Sequence, residues 1–227
     1  MAEKTIIAWT DHTFNIAWGC TKVSPGCAHC YADTLSSRYG HDVWGPSRPR
    51  RTFGEKHWAE PLNWNAQAKT EGRQHRVFCS SMCDVFEDHA TIDAERAKLW
   101  HLIERTPCLE WQLLTKRPER IAANLPVDWG NGWPNVWLGT SIENNDYVWR
   151  ADHLRAIPAR IRFVSYEPAL GPLDQLDLAG VHWLIYGGES GPNFREHDPQ
   201  WARDMRDRCR TAGVAFFFKQ SSAFQTE

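Results

Sequence analysis

The sequence has no apolar segment long enough to cross a membrane, and its first residues contain only one short apolar run, residues 6–9. A run of that length is too short to be the apolar core of a signal peptide. No Ser/Gly-rich, Pro-rich or single-charge stretch divides the 227 residues. These absences predict one domain over residues 1–227, a cytoplasmic location and no membrane partner.

The chain also lacks an excess of charge, with 26 Lys and Arg against 28 Asp and Glu and a formal net charge of -2. A balanced chain has no overall attraction to nucleic acid, so any such binding depends on a local patch. Residues 48–51 include three arginines, and Trp44, Phe53 and Trp58 offer rings for stacking nearby. We predict that residues 41–64, rich in Trp, Arg and Pro, form an insertion in the domain. Arginines paired with neighbouring carboxylates are the alternative interpretation.

An even set of spaced cysteines, which is typical of secreted disulfide proteins, is absent as well. Three of the seven cysteines, Cys20, Cys27 and Cys30, lie in one short segment, and Pro25 and Gly26 allow that segment to turn. A zinc or iron–sulfur site normally takes four protein ligands. Three clustered thiols therefore predict a metal centre with a fourth ligand elsewhere or with an open coordination position.

Seven apolar runs, each followed by a polar cluster, predict seven strands at residues 14–19, 77–82, 110–115, 135–140, 161–166, 181–187 and 214–218. Helical spacing lies between them at residues 31–39, 92–105 and 199–210, the last with Asp198 as N-cap and Gly213 as its end. Strands that alternate with helices predict an α/β fold, a parallel sheet covered by helices. Seven strands favour a partial or irregular (β/α) barrel over a full one, and no Gly-rich phosphate turn follows the first strand, as a doubly wound fold would require.

Candidate site residues follow the predicted strands, because ligands of such folds bind at the carboxyl ends of the strands. Lys116 and Arg117 could hold a carboxylate or a phosphate. Gly187 and Gly188 would let the backbone approach a ligand, although a tight turn explains the pair equally well. Cys83 is the candidate for a reactive thiol or hydrogen donor. Three further cysteines are predicted to pack in the core: Cys79, Cys108 and Cys209.

A three-cysteine loop after the first strand of a βα barrel resembles the radical S-adenosylmethionine (SAM) superfamily. This chain keeps the usual two residues between Cys27 and Cys30 but has six between Cys20 and Cys27, where the superfamily usually has three. Residues 18–27, 114–118, 165–168 and 187–190 resemble, more narrowly, an uncharacterised phage-associated family that is distantly similar to spore photoproduct lyase.

The resemblance implies that Cys20, Cys27 and Cys30 ligate a [4Fe-4S] cluster and that SAM chelates the fourth iron. An external electron donor would then drive cleavage of SAM to a 5'-deoxyadenosyl radical, which abstracts hydrogen from an unidentified substrate, with nucleic acid or nucleotide as the hypothesis. Within that scheme, position at the predicted strand ends assigns catalysis to Cys83, Lys116 and Glu167. Cofactor binding is assigned to Ser81, Thr140, Glu143, Ser165, Gly187, Gly188 and Glu189.

Two other functions remain open from the sequence. A zinc site completed by His29, His12 or His41 would make the chain a non-catalytic interaction module. A barrel hydrolase would pair carboxylates among Glu143, Glu167 and Glu189 as acid and base. The module leaves the polar strand ends unexplained and the hydrolase leaves the cysteine loop unexplained, whereas the iron–sulfur interpretation uses both.

Overall fold

One seven-stranded parallel sheet forms the framework of the computed structural model, which describes residue 5 and residues 7–225. Each strand pairs with the next strand in the sequence, so the sheet curves into a half-barrel, and the predicted fold class is confirmed. Its strands are β1 (His12–Phe14), β2 (His75–Cys79), β3 (Leu109–Thr115), β4 (Val136–Ser141), β5 (Ile161–Tyr166), β6 (Trp183–Gly187) and β7 (Ala215–Gln220). Ile6, which belongs to the short apolar run, and the ends of the predicted domain lie outside the described residues.

Five helices connect or flank the strands: α1 (Tyr31–Arg38), α2 (Glu55–Glu71), α3 (Ala90–Glu104), α4 (Trp149–Arg155) and α5 (Pro199–Ala212). The end signals predicted for α5 are confirmed, because the Asp198 side chain accepts from the Gln200 N–H and Gly213 takes the left-handed conformation. Within the described residues, no helix has the length and apolar character needed to cross a lipid bilayer.

Two sequence predictions are corrected by the helices and the first strand. The supposed insertion at residues 41–64 is wrong in its second half, because α2 begins at Glu55 and buries Trp64 and Ala68 in the core as part of the crossover from β1 to β2. The first strand ends at Phe14 rather than at residue 19, because Trp18 pairs through its backbone with Arg51 and not with β2.

Apolar side chains cover both faces of the sheet. The carboxyl ends of the strands are where the polar, candidate functional side chains lie. Two large clusters pack the outer face against the helices. The concave face holds a third cluster, in which Trp9, Phe78, Phe163 and Ile185 are buried. Because these apolar, mostly aromatic side chains occupy the interior of the half-barrel, the polar side chains lie where the strands end.

Candidate metal centre

The three clustered cysteines lie on one loop, residues 19–31, which we call the cysteine loop. Cys27 ends a short 3-10 turn (Pro25–Cys27), and Cys30 is the N-cap of α1. All three thiols are unpaired and half-buried. Burial raises the pKa of Cys30, while the first backbone N–H groups of α1 and the Lys116 charge oppose that rise. The loop therefore presents thiols to a helix N-terminus and to positive side chains.

At its Cys20 end, the loop is held by Arg117. The Arg117 guanidinium donates to Cys20 Sγ at 3.6 Å, to Asp84 Oδ2 at 2.9 Å and to the Thr21 carbonyl at 2.6 Å. Burial raises the pKa of Cys20, and the Asp84 carboxylate adds to that rise, while the Arg117 charge opposes it. Arg117 thus ties the first cysteine to residues that follow β2 and β3.

A second buried pair supports the same end of the loop. Arg50 donates two hydrogen bonds of 2.8 Å to Glu87, and Glu87 Oε1 also accepts the Thr21 N–H at 2.7 Å. The Arg50 side chain is fully buried, so it cannot belong to the predicted nucleic-acid patch, and that part of the prediction is wrong. Arg48 pairs with Asp42, as the alternative interpretation of the arginines expected.

Glu143, assigned above to cofactor binding, holds the middle of the loop. It accepts from Ser24 Oγ at 2.6 Å, and it pairs with Lys116 Nζ at 3.0 Å and Arg150 Nη1 at 2.8 Å. A Cβ on Gly26 would lie 2.5 Å from Glu143 Oε1, so only glycine fits there. Although burial raises the pKa of Glu143, the two cations outweigh it and the net shift is downward. Glu143 is therefore an ionised anchor for the loop.

Glu189 holds the Cys30 end in the same way. It is buried, lies 3.0 Å from His29 Nδ1 and accepts hydrogen bonds from the side chain and the backbone of Arg195. Arg195 also donates to the Pro25 carbonyl at 3.0 Å. Burial opposes ionisation of Glu189, but the bonds from Arg195 and His29 prevail and lower its pKa to about 2. Glu189 is thus the third carboxylate, after Glu87 and Glu143, that bonds residues of the cysteine loop.

Packing of the chain explains the glycine pair before Glu189. A Cβ on Gly188 would lie 2.2 Å from the Ser222 backbone nitrogen, and one on Gly187 would lie 3.0 Å from the Glu167 carboxyl carbon. The close approach predicted at these glycines therefore occurs, but within the described residues it is to the segment after β7 and to a side chain of the site.

The other assigned residues surround the opening of the half-barrel. Glu167, after β5, forms an ion pair with Lys219 of β7, and both side chains remain partly accessible. Thr140 uses its hydroxyl to donate to the Thr115 carbonyl at 2.9 Å. Ser81 accepts from the Asn15 amide at 3.2 Å, and Ser165 is buried at the end of β5.

Four cysteines lie outside the loop, and Cys83, like Cys108, packs against the outer core cluster. Cys79 and Cys209 are fully buried. Cys83 is half-buried after β2, where burial raises the pKa of its thiol and keeps it protonated at neutral pH. Cys83 is thus not an activated thiolate, but it retains a hydrogen atom to donate.

Sequence reasoning missed three of the groups that hold the loop. Glu87, Arg150 and Arg195 were not singled out, and Arg50 was assigned to a surface. Glu87 had a usable signal, since it follows Asp84 by three residues after a predicted strand. Arg150 lies in α4, and Arg195 in an irregular segment after β6, and neither has a distinguishing pattern.

The types of side chain that could bind a metal near the loop bear on which kind of metal centre it could hold. Over residue 5 and residues 7–225, no three His, Cys, Asp or Glu side chains are arranged to hold a single metal ion. His29 is engaged by Glu189, and His12 lies beside His75 at the opposite end of the strands, so neither completes a zinc site. In a cubane each thiolate binds a different iron, so the sulfurs need not converge on one point. Three cysteine sulfurs are the type of donor that such a cluster takes.

Comparison with known proteins gives a family and a fold. A family profile described as "Protein of unknown function (DUF5131)" matches residues 4–227. No curated protein matches the sequence.

Among solved structures, a spore photoproduct lyase double mutant with bound AdoMet and dinucleoside spore photoproduct superposes with a TM-score of 0.50 at 13% identity, over 88% of this chain and 61% of that chain. A single mutant of such a lyase, with dinucleoside spore photoproduct, gives a TM-score of 0.56 at 12% identity, over 89% of this chain and 75% of the other. This chain thus spans about three fifths of the first of these relatives, and the likeness is one of fold.

Proposed function

We propose that this chain, which belongs to the DUF5131 family, is a radical SAM enzyme whose [4Fe-4S] cluster is held by Cys20, Cys27 and Cys30. The observation that carries the proposal is the loop itself: its three thiols lie where the strands of a half-barrel end, and three paired carboxylates bond the Thr21 backbone and the Ser24 and His29 side chains. When bound, the cluster would supply the electron that cleaves SAM to a 5'-deoxyadenosyl radical.

The residues around the loop would stabilise the negative charge of the thiolates. Lys22 lies near Cys27 and Cys30, and its ammonium pairs with Asp33 at 2.8 Å. The N-terminus of α1 begins directly after Cys30, so its free N–H groups and its dipole favour an anion there. Arg117 contacts Cys20.

Glu167 and Cys83 remain the proposed catalytic residues, and Lys116 becomes a positioning residue. Lys116 neutralises Glu143 and thereby acts through the loop. Glu167 and Lys219 stand at the opening, where their ion pair can exchange for polar groups of SAM or substrate. Cys83 would return a hydrogen atom to a substrate radical from its neutral thiol, and the external donor, together with a proton, would reduce the thiyl radical that remains on Cys83. Ser81, Thr140 and Ser165 remain proposed neighbours of the cofactor, whereas Gly187, Gly188, Glu143 and Glu189 shape the site.

For the substrate, we propose a nucleotide or a short single strand of nucleic acid, supplied with electrons by an external donor. The solved lyases that share the fold hold a dinucleoside, and the concave face of the half-barrel here is lined by buried aromatic side chains. If this proposal is right, a substrate oligonucleotide accelerates release of 5'-deoxyadenosine. Equal rates with single strands, duplexes, nucleotides and no addition would contradict it.

The hydrolase is disfavoured by the charges of its carboxylates. A general acid needs a raised pKa, whereas the pKa values of Glu143 and Glu189 are both lowered by the cations beside them. Neither group holds a proton to donate at neutral pH, so an acid/base pair drawn from these two residues would lack its acid.

Anaerobic reconstitution with iron and sulfide tests the proposal directly. We expect a brown protein that releases 5'-deoxyadenosine from SAM under dithionite. Cys27→Ala should lose the iron, whereas Cys83→Ala should retain it. The two variants are matched because each removes one half-buried thiol near the strand ends. One zinc per chain without a chromophore, or equal iron in both variants, would overturn the assignment.

A further inference from the structure

Arg117 is placed differently from every other cation near the cysteine loop. Its guanidinium is buried and reaches Cys20 Sγ with one nitrogen, Nη1, which also donates to Asp84 Oδ2. The second nitrogen, Nη2, donates to the Thr21 carbonyl and so fixes the orientation of the fork. A guanidinium held from two sides cannot turn away from the sulfur.

The other two thiols receive weaker hydrogen-bond donors. Ser24 Oγ lies 3.7 Å from Cys27 Sγ, but the Ser24 hydroxyl donates its proton to Glu143 Oε1 at 2.6 Å. Around Cys30, the groups that counteract the rise in the pKa of the thiol are backbone N–H groups and the more distant charge of Lys116. Within the described part of the chain, Cys20 is thus the cysteine of the loop whose sulfur has a charged donor in hydrogen-bond contact.

We propose that Arg117 is a positioning residue that sets the reduction potential of the cluster through its charged N–H contact with Cys20. This inference rests on the proposed function. One-electron reduction adds one negative charge to the cluster and its thiolates, and a hydrogen-bonded cation beside a ligand sulfur stabilises that charge. Arg117 therefore raises the potential, so that a weaker external donor suffices to reduce the centre.

The charged residues around Arg117 increase the expected change in reduction potential when Arg117 is replaced. Arg117 and Arg50 face Asp84 and Glu87 in one buried group, so the four charges cancel. Replacing Arg117 with a neutral residue leaves a net negative charge beside Cys20. Both the lost N–H···S contact and that residual charge oppose reduction.

An EPR-monitored redox titration of reconstituted protein tests the inference. We expect Arg117→Gln to shift the equilibrium between oxidised and reduced cluster at least tenfold towards the oxidised form, which is a fall of about 59 mV for a one-electron couple. The matched control is Arg50→Gln, which also removes a buried guanidinium from the group but one that bonds Glu87 and not the sulfur. We expect a smaller shift in that variant.

The outcomes separate this inference from the proposed function. Wild-type protein that takes up no iron–sulfur cluster overturns both. A cluster whose potential is unchanged in Arg117→Gln, or shifts equally in Arg50→Gln, overturns the inference alone. If Arg117→Gln takes up no cluster, Arg117→Lys is titrated, because lysine keeps the charge yet cannot reach both Cys20 and Thr21. The same direction of shift there supports the role, and loss of the cluster in both variants assigns Arg117 to structure only.

Discussion

The two ends of the cysteine loop are anchored by the same kind of contact in different surroundings. At the Cys20 end, the side chains of Arg50 and Glu87 are 0% and 3% exposed. At the Cys30 end, the partners of buried Glu189 are Arg195 and His29, whose side chains are 35% and 36% exposed. Charges screened by solvent interact weakly, and charges sealed from it are costly to separate. The Cys20 end should therefore be the harder of the two to displace.

Glu87 is expected to carry the largest effect. Glu87→Gln leaves Arg50 buried with no full negative charge against it, and breaking such a pair costs about 3–5 kcal/mol of unfolding free energy. Denaturant unfolding of the reduced, metal-free protein measures this. The control is the adjacent Asp88→Asn, because Asp88 is exposed and its pair with Arg120 should contribute less than about 1 kcal/mol. Equal losses would mean that burial does not distinguish the two ends.

Glu143 should give the next effect, since it anchors the middle of the loop. Glu143→Gln keeps the shape but weakens charged hydrogen bonds to Lys116 and Arg150, and we expect a loss of about 2–3 kcal/mol. Asp152→Asn, which alters an exposed pair in α4, is the matched control and should cost less than about 1 kcal/mol. A loss in Glu143→Gln no larger than that of the control would contradict the anchoring role.

Glu189 tests the more exposed end, and its effect depends on pH. Its pKa is lowered from 4.5 to about 2, so its ionised form stabilises the fold above pH 4.5 and that contribution disappears as the pH falls towards 2. We expect Glu189→Gln to lose about 1–2 kcal/mol at pH 7. The gap between wild type and variant should narrow below pH 4.5. A gap that stays constant down to pH 2.5 would show that the stabilisation does not come from the carboxylate charge.

Arg48 should give the smallest effect and complete the comparison. Arg48 and Asp42 form an exposed pair, so Arg48→Ala should change the unfolding free energy by less than about 0.5 kcal/mol. It should also leave the affinity for oligonucleotides unchanged, as fluorescence anisotropy would show. A fall in affinity would restore this part of the arginine segment as a binding surface.

Local patterns were sufficient to predict most of the framework. The strand at Ile161–Tyr166 was predicted at its observed bounds, and α5 was located by its N-cap and its final glycine. Helix α2 was missed because Pro61 lies inside it and lowers the helical signal, while tertiary packing of Trp64 stabilises the helix all the same.

The roles of charged residues were harder to predict than their positions. The sequence placed Glu143 and Glu189 correctly at strand ends, but partners such as Ser24 and His29 come from a distant segment. Residue type alone does not show whether a carboxylate faces a ligand or a loop of its own chain. Arg50 was misassigned for the same reason, since its buried partner Glu87 follows a different strand.

The cysteine loop has one consequence for biosynthesis. The loop follows β1, whereas most of the groups that hold it follow β2, β3, β4 and β6, so the ribosome makes the loop before those groups. A nascent chain therefore carries three exposed thiols before the residues that hold the cysteine loop have been made. If the loop holds the proposed cluster, delivery of iron and sulfide must follow synthesis of Arg195, and a product that stops before this residue would offer only loosely held thiols to oxidants.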